Sequence, residues 1–157
     1  MRAAILFGLL VAVALVTVLW RKAPRRFQYR AREPLTPNEA EFFARLVVAF
    51  PEGFVFPQVS IGALIEPRGG SPKDRLAAFR AISQKRVDYV VCKADLAVVC
   101  VVELDDRTHD AMVDQRRDAV LRSAGIQTVR WQSRRKPASH EVRAALLPLT
   151  QLNRSRS

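Results

Sequence analysis

The apolar run that opens at Val98 ends abruptly in acid: VVCVVELDDRTH carries Glu103, Asp105 and Asp106, then His109. A second carboxylate, Asp88, lies near the head of the preceding apolar run, VDYVVC. Carboxylates inside or at the end of buried strands are costly unless something positive meets them. A divalent ion is the partner that such a cluster suits, and oxygen ligands favour Mg²⁺ or Mn²⁺ over zinc, which takes more His or Cys. Such an ion would polarise a phosphoryl oxygen and acidify water, the chemistry of phosphodiester hydrolysis.

Two strands must position these groups. Val87 to Cys92 and Leu96 to Leu104 read as a hairpin, because the connection at Lys93 to Asp95 is too short for a parallel crossover. With a four-residue turn at Lys93 to Leu96, Asp88 falls opposite Val101 and shares a face with Glu103 and Asp105. Asp106 and Asp110 also suit the first turn of a helix, where capping and the dipole favour acid. His109 stands four residues after Asp105, with a pKa suited to proton transfer near neutrality. His140 has no acidic cluster beside it and reads as a surface residue.

The remaining elements follow from periodicity and caps. Thr36-Pro37-Asn38-Glu39 is a capping box with proline at the first helical position, and Phe42, Phe43, Leu46, Val47 and Phe50 give that helix an apolar face. Phe54 to Ile61 reads as an edge strand because it contains Pro57. Lys73 to Ile82 is a short helix, His109 to Ala124 a longer one capped by Gly125, Ile126 to Trp131 a strand, and Ser139 to Leu147 a final helix. A strand reached from Leu104 through a helix pairs parallel. The expected fold class is α/β: a mixed β-sheet flanked by helices in the order αβ(α)ββαβα.

One domain fits within 157 residues, and nearly half of them are apolar. Part of that content is a single uncharged block, Ala3 to Trp20, which as a helix reaches roughly 27 Å against a hydrocarbon core of about 30 Å. It reads as a transmembrane anchor; a cleaved signal peptide is the competing reading, but the block lacks an A-x-A-like exit and runs into Arg21, Lys22, Arg25 and Arg26. Those cations place the following domain on the cytoplasmic side of an inner membrane, as a single-pass protein. The expected organisation is an anchor at 1–20, a basic linker at 21–34, the α/β domain at 35–150 and a disordered tail at 151–157. Cys92 and Cys100 read as buried free thiols, in keeping with a reducing compartment.

The formal charge is +11. Lipid headgroups could account for the six basic residues between Arg21 and Arg32, but the excess continues along the whole chain, through Arg134, Arg135 and Lys136 to Arg143. A domain this basic favours a polyanion, and nucleic acid is the usual one. Aromatic residues are not interleaved with the charges, so no stacking platform for single strands is evident.

The series Lys85-Arg86-Val87-Asp88-Tyr89-Val90, Val102-Glu103-Leu104-Asp105-Asp106-x-x-His109, Arg117-Asp118 and Ala124-Gly125-Ile126 with Arg130 resembles a bacterial domain-of-unknown-function family assigned to the restriction-endonuclease-like, or PD-(D/E)XK, superfamily. It is also similar to the very-short-patch-repair endonuclease type, in which histidine closely follows an acidic strand end. The resemblance covers about Leu35 to Leu147. It implies a restriction-endonuclease-like core, Asp88 and Glu103 as metal ligands with Asp105 beside them, and a nucleic-acid substrate, DNA ahead of RNA. Asp105 stands where that superfamily usually has lysine, so His109, Lys85 and Arg117 are the candidates to orient water or stabilise the phosphate. Glu39 or Glu41 of the first helix is a further candidate for the site. Two other readings stay open: an inactive nuclease fold that binds nucleic acid, and a membrane-tethered adaptor.

Overall fold

A computed structural model describes residues 1–22, 27–105 and 111–152, with side chains described in that range except at 3, 4, 16, 18–22, 111–114 and 152. The chain divides into two units, Met1–Arg32 and Glu33–Ser157. In the first, α1 (Arg2–Lys22) is one continuous helix whose Ile5, Leu6, Phe7, Leu9 and Leu10 are exposed. Among the described residues no helix is long and apolar enough to cross a membrane, so the transmembrane span expected at Ala3 to Trp20 finds no support there.

The second unit is a mixed α/β fold: a four-stranded mixed sheet flanked by helices. Its elements run α2 (Pro37–Ala49), β1 (Gly53–Ser60), α3 (Ile61–Leu64), α4 (Pro72–Ser83), β2 (Arg86–Lys93), β3 (Val98–Asp105), α5 (Ala111–Ser123), β4 (Thr128–Gln132) and α6 (Ser139–Leu152). Sheet order is β1-β2-β3-β4; β1 and β2 pair antiparallel, as do β2 and β3, while β4 lies parallel to β3. β1 is an edge strand, which is what tolerates Pro57. The expected strand ends one residue early, at Ser60, and an unanticipated short helix takes over at Ile61. At the other end α6 continues five residues past the expected Leu147, through Pro148.

Alternation along the strands sorts the core into two layers. Tyr89, Val91, Cys100, Val102 and Leu104 face α2 and α6, where Phe42, Leu46, Val142 and Leu146 are buried against them. Phe42 meets both Tyr89 and Trp131 edge-on, at ring centroid distances of 5.9 and 5.6 Å. Val90, Cys92 and Val101 face the other way, toward Ile61 of α3, Ile82 of α4 and Leu121 of α5. Burial of this kind contributes roughly 1.5–3 kcal/mol per large apolar side chain. The thiols of Cys92 and Cys100 are buried and free, one in each layer, and burial pushes the Cys100 thiol up to about 12.

Helix starts are fixed locally. Thr36 and Glu39 close the expected capping box, with the Thr36 N–H donating to Glu39 Oε2 at 2.6 Å. Ser71 and Asp74 build a second one at α4, again with proline at the helix start. Each cap satisfies amide donors that the first helical turn leaves unpaired, worth about 1 kcal/mol.

Register is where the hairpin departs from expectation. Val90 pairs with Val101 and Tyr89 with Val102. Continuing one step sets Asp88 opposite Glu103, rather than Val101. Two offsets of one residue produce the change. The turn closes with Lys93 N–H on Ala97 O rather than on Leu96, and a bulge between Val91 and Cys92 shifts the register by one more, Cys92 pairing with Val98 and Val91 with Cys100. A single offset would have turned Asp88 to the opposite face, whereas two restore it.

Candidate functional site

The site lies at the end of the hairpin, on the sheet face covered by α3, α4 and α5. Glu103 follows Val101 by two residues and so shares that face. Across the ladder stands Asp88 on one side and, in the parallel register of β3 with β4, Arg130 on the other. A row of acid, acid and guanidinium thus crosses three adjacent strands.

Glu103 is the only buried charged residue among those described, 3% exposed. Its Oε1 lies 3.3 Å from Arg117 Nη2 of α5, within ion-pair reach, yet accepts no hydrogen bond from any described residue. Burial, and then the neighbouring Asp88 carboxylate, push the Glu103 carboxyl up to about 8; Arg117 and Arg130 oppose that rise without cancelling it. Asp88 is half-buried and better served, since its Oδ2 accepts the backbone N–H of Leu104 at 2.8 Å. That bond fixes the Asp88 carboxylate against the end of β3.

Asp105 is organised differently. Its Oδ1 accepts from Arg130 Nη1 at 2.7 Å, and the same guanidinium binds both oxygens of Asp118 on α5, through Nε at 3.1 Å and Nη2 at 2.9 Å. Burial works against the charge on Arg130, but the bonds to Asp118 and Asp105 hold its pKa above the ordinary guanidinium value. The expected cluster of three carboxylates is therefore split: Asp88 and Glu103 face each other, while Asp105 is turned over to Arg130. Among the described residues no group of three or more His, Cys, Asp or Glu side chains is gathered to hold a metal.

Lys85 is exposed in the turn between α4 and β2, three residues before Asp88, with its carbonyl accepting the Ile61 N–H at 2.9 Å. His109, Asp106 and Asp110 lie outside the described residues. Glu39 and Glu41 belong to α2, on the other layer: Glu39 is used by the capping box, and Glu41 binds Lys136 and Arg45. Contact with Lys136 first, then Arg45, lowers the Glu41 pKa. Neither glutamate joins Asp88 and Glu103, because α2 packs on the face carrying Tyr89 and Val102.

Arg130 and Asp118 are the members of the site that sequence reasoning did not assign a part. A signal was present: Arg130 lies two residues past the start of the parallel strand, and Asp118 follows Arg117 on the connecting helix. Only the β3–β4 register, Glu103 beside Arg130, converts those positions into contacts.

Fold and site together define a mixed α/β domain in which buried Glu103 faces half-buried Asp88, with Arg117 beside Glu103 and Arg130 holding Asp105 and Asp118. A family model covers residues 31–149, and the chain belongs to that family, the proteins of unknown function designated DUF2726. No curated protein and no solved structure matches the chain.

Proposed function

We propose that the domain is a restriction-endonuclease-like, divalent-metal-dependent hydrolase of nucleic-acid phosphodiesters. The observation that carries this reading is buried Glu103 facing half-buried Asp88, with Glu103 Oε1 accepting no hydrogen bond. Two facing carboxylates, one of whose oxygens accepts no hydrogen bond, are hard oxygen donors, so these two residues fit Mg²⁺ or Mn²⁺. Asp105 does not fit as it stands, since Arg130 occupies its Oδ1.

Bound between Asp88 and Glu103, the ion would supply Lewis acidity to a phosphoryl oxygen and to water. The rest is done by the chain. The Leu104 N–H holds the Asp88 carboxylate in place. Arg117, 16% exposed at its side chain, offers a guanidinium beside the pair where phosphate charge develops. Arg130 fixes Asp105 and Asp118, and through them the end of β3 against α5. His109 as acid or base and Lys85 as the water-orienting cation complete the proposed set.

A second reading is favoured by one specific observation. Asp105 stands where the superfamily usually has lysine, and its carboxylate is neutralised by Arg130. A nuclease fold that binds nucleic acid without cutting it would look this way. Cleavage of DNA and RNA by the full chain, assayed with Mg²⁺ and Mn²⁺, separates the two: the first reading expects cleavage that is lost in Asp88→Ala and Glu103→Ala. Salt-sensitive binding without cleavage under any divalent ion establishes the second.

Attachment to the inner membrane, with the domain on the cytoplasmic side, is proposed through α1 and the basic residues that follow it. The exposed Ile5, Leu6, Phe7, Leu9 and Leu10 support that reading. A tethered adaptor that contacts only lipid is the alternative, and measured affinity for nucleic acid would exclude it.

A further inference from the structure

Basic side chains are divided unequally between the two layers that cover the sheet. On the α2 and α6 layer Arg45, Lys136 and Arg143 are paired, while Arg134 and Arg135 in the turn before α6 stay exposed. Arg45 and Lys136 both meet Glu41, Lys136 also donates to Asn38 Oδ1 at 2.8 Å, and Arg143 meets Glu52 at 3.0 Å. On the opposite layer Lys73, Arg75 and Arg80 of α4, Arg86 opening β2, and Arg116 and Arg122 of α5 are all exposed. None of these has a carboxylate within ion-pair reach among the described residues. The local acids are committed elsewhere, Asp74 to the Ser71 cap and Glu66 to Arg68.

The layer that carries the unneutralised charge is also the layer that carries Glu103. α4 and α5 stand on either side of a cavity of about 840 Å³ lined by Leu64, Ala78, Ile82, Val120 and Ala124, so their cations form two banks rather than one stripe. A helix lying on lipid concentrates its cations beside a continuous apolar face. Here the charge comes from three elements, α4, β2 and α5, and on α4 the partly exposed Phe79 still meets Gly62 of α3. Regularly spaced phosphates are the anion that matches such a distribution.

We infer that nucleic acid docks by its phosphates across the α4 and α5 layer and not on the α2 and α6 layer. This rests on the nucleic-acid reading above and gives it a surface.

The test is binding of fluorescent duplex DNA to the full chain over a series of salt concentrations, with chelator present so that cleavage plays no part. Two exposed pairs are compared, Arg80→Gln with Arg122→Gln, and Arg134→Gln with Arg135→Gln. The first pair weakens binding by about tenfold and lowers the salt slope by about 1 to 2, while the second leaves both near wild type. Equal losses, no loss from the first pair, or no binding by the wild type overturns the inference. So does affinity for phosphatidylglycerol vesicles that falls in the first pair while DNA binding does not. Cleavage is read separately, with Mg²⁺ and without chelator; cleavage that survives Asp88→Asn counts against the carboxylate site alone, not against the surface.

Discussion

Arg130 Nη1 donates to Asp105 Oδ1 at 2.7 Å while its Nε and Nη2 hold both oxygens of Asp118, so one guanidinium joins the end of β3 to α5. The three side chains are between a fifth and a third exposed, so solvent screens the pairs only in part. Arg130→Met keeps the length of the side chain and leaves two carboxylates facing each other without a cation. Loss of roughly 1–3 kcal/mol of stability is expected, read as a lower denaturation midpoint in urea. Adding Asp105→Asn to Arg130→Met recovers part of it; an unchanged midpoint in the single variant refutes the bracing role.

Glu103 makes stability depend on pH in a defined direction. Its folded pKa, about 8, lies above the ordinary 4.5, so between those values the folded chain holds a proton that the unfolded chain has released. Stability contributed by the protonated carboxyl is complete below 4.5 and is lost as pH rises toward 8. Unfolding free energy should therefore fall by roughly 5 kcal/mol between the two ends of that window. Glu103→Gln, which cannot ionise, flattens the profile and exceeds the wild type at its alkaline end. A wild-type profile already flat across the window would refute the assignment. Glu52 and Asp74, held low by Arg143 and by Ser71 respectively, lose stabilisation only under more acidic conditions, outside this window.

Gly53 begins β1 where a side chain has no room. A Cβ there would overlap the Cys92 carbonyl and the Phe50 ring, one of them rigid backbone in the neighbouring strand. Gly53→Ala should destabilise by about 1–3 kcal/mol, the usual cost of overpacking. A Tm equal to that of the wild type would mean that the β1 edge moves freely away from β2.

How much of this could be read from the residues depends on the range of the interaction involved. The Thr36 and Glu39 cap, the hairpin and the parallel return of β4 follow from local chemistry and connection length, and each is present. The turn was misjudged by one residue because Leu96 takes a positive φ of 68°, a conformation for which leucine gives no warning. The bulge at Val91 and Cys92 adds a second offset. Faces survived because strands alternate with a period of two, but partners did not: Asp88 moved from a diagonal to a direct opposition with Glu103. Arg130 was legible as a basic residue and not as the partner of Asp105. Its role depends on a register between strands 25 residues apart, which no local pattern encodes.

Membrane attachment has its own check. If α1 and its basic flank anchor the chain, the full-length protein stays with membranes through alkaline carbonate extraction, and a chain lacking residues 1–20 does not. Release of the full-length protein by carbonate alone contradicts a spanning anchor.

Calorimetric titration of Mn²⁺ and Mg²⁺ into the full-length protein at pH 8 tests the acidic pair most directly. One site per chain is expected, with binding reduced at least about tenfold in Asp88→Asn and in Glu103→Gln and retained in Asp105→Asn. Absence of binding to the wild type, or binding that both Asp88→Asn and Glu103→Gln leave intact, would contradict a metal centre built on Asp88 and Glu103.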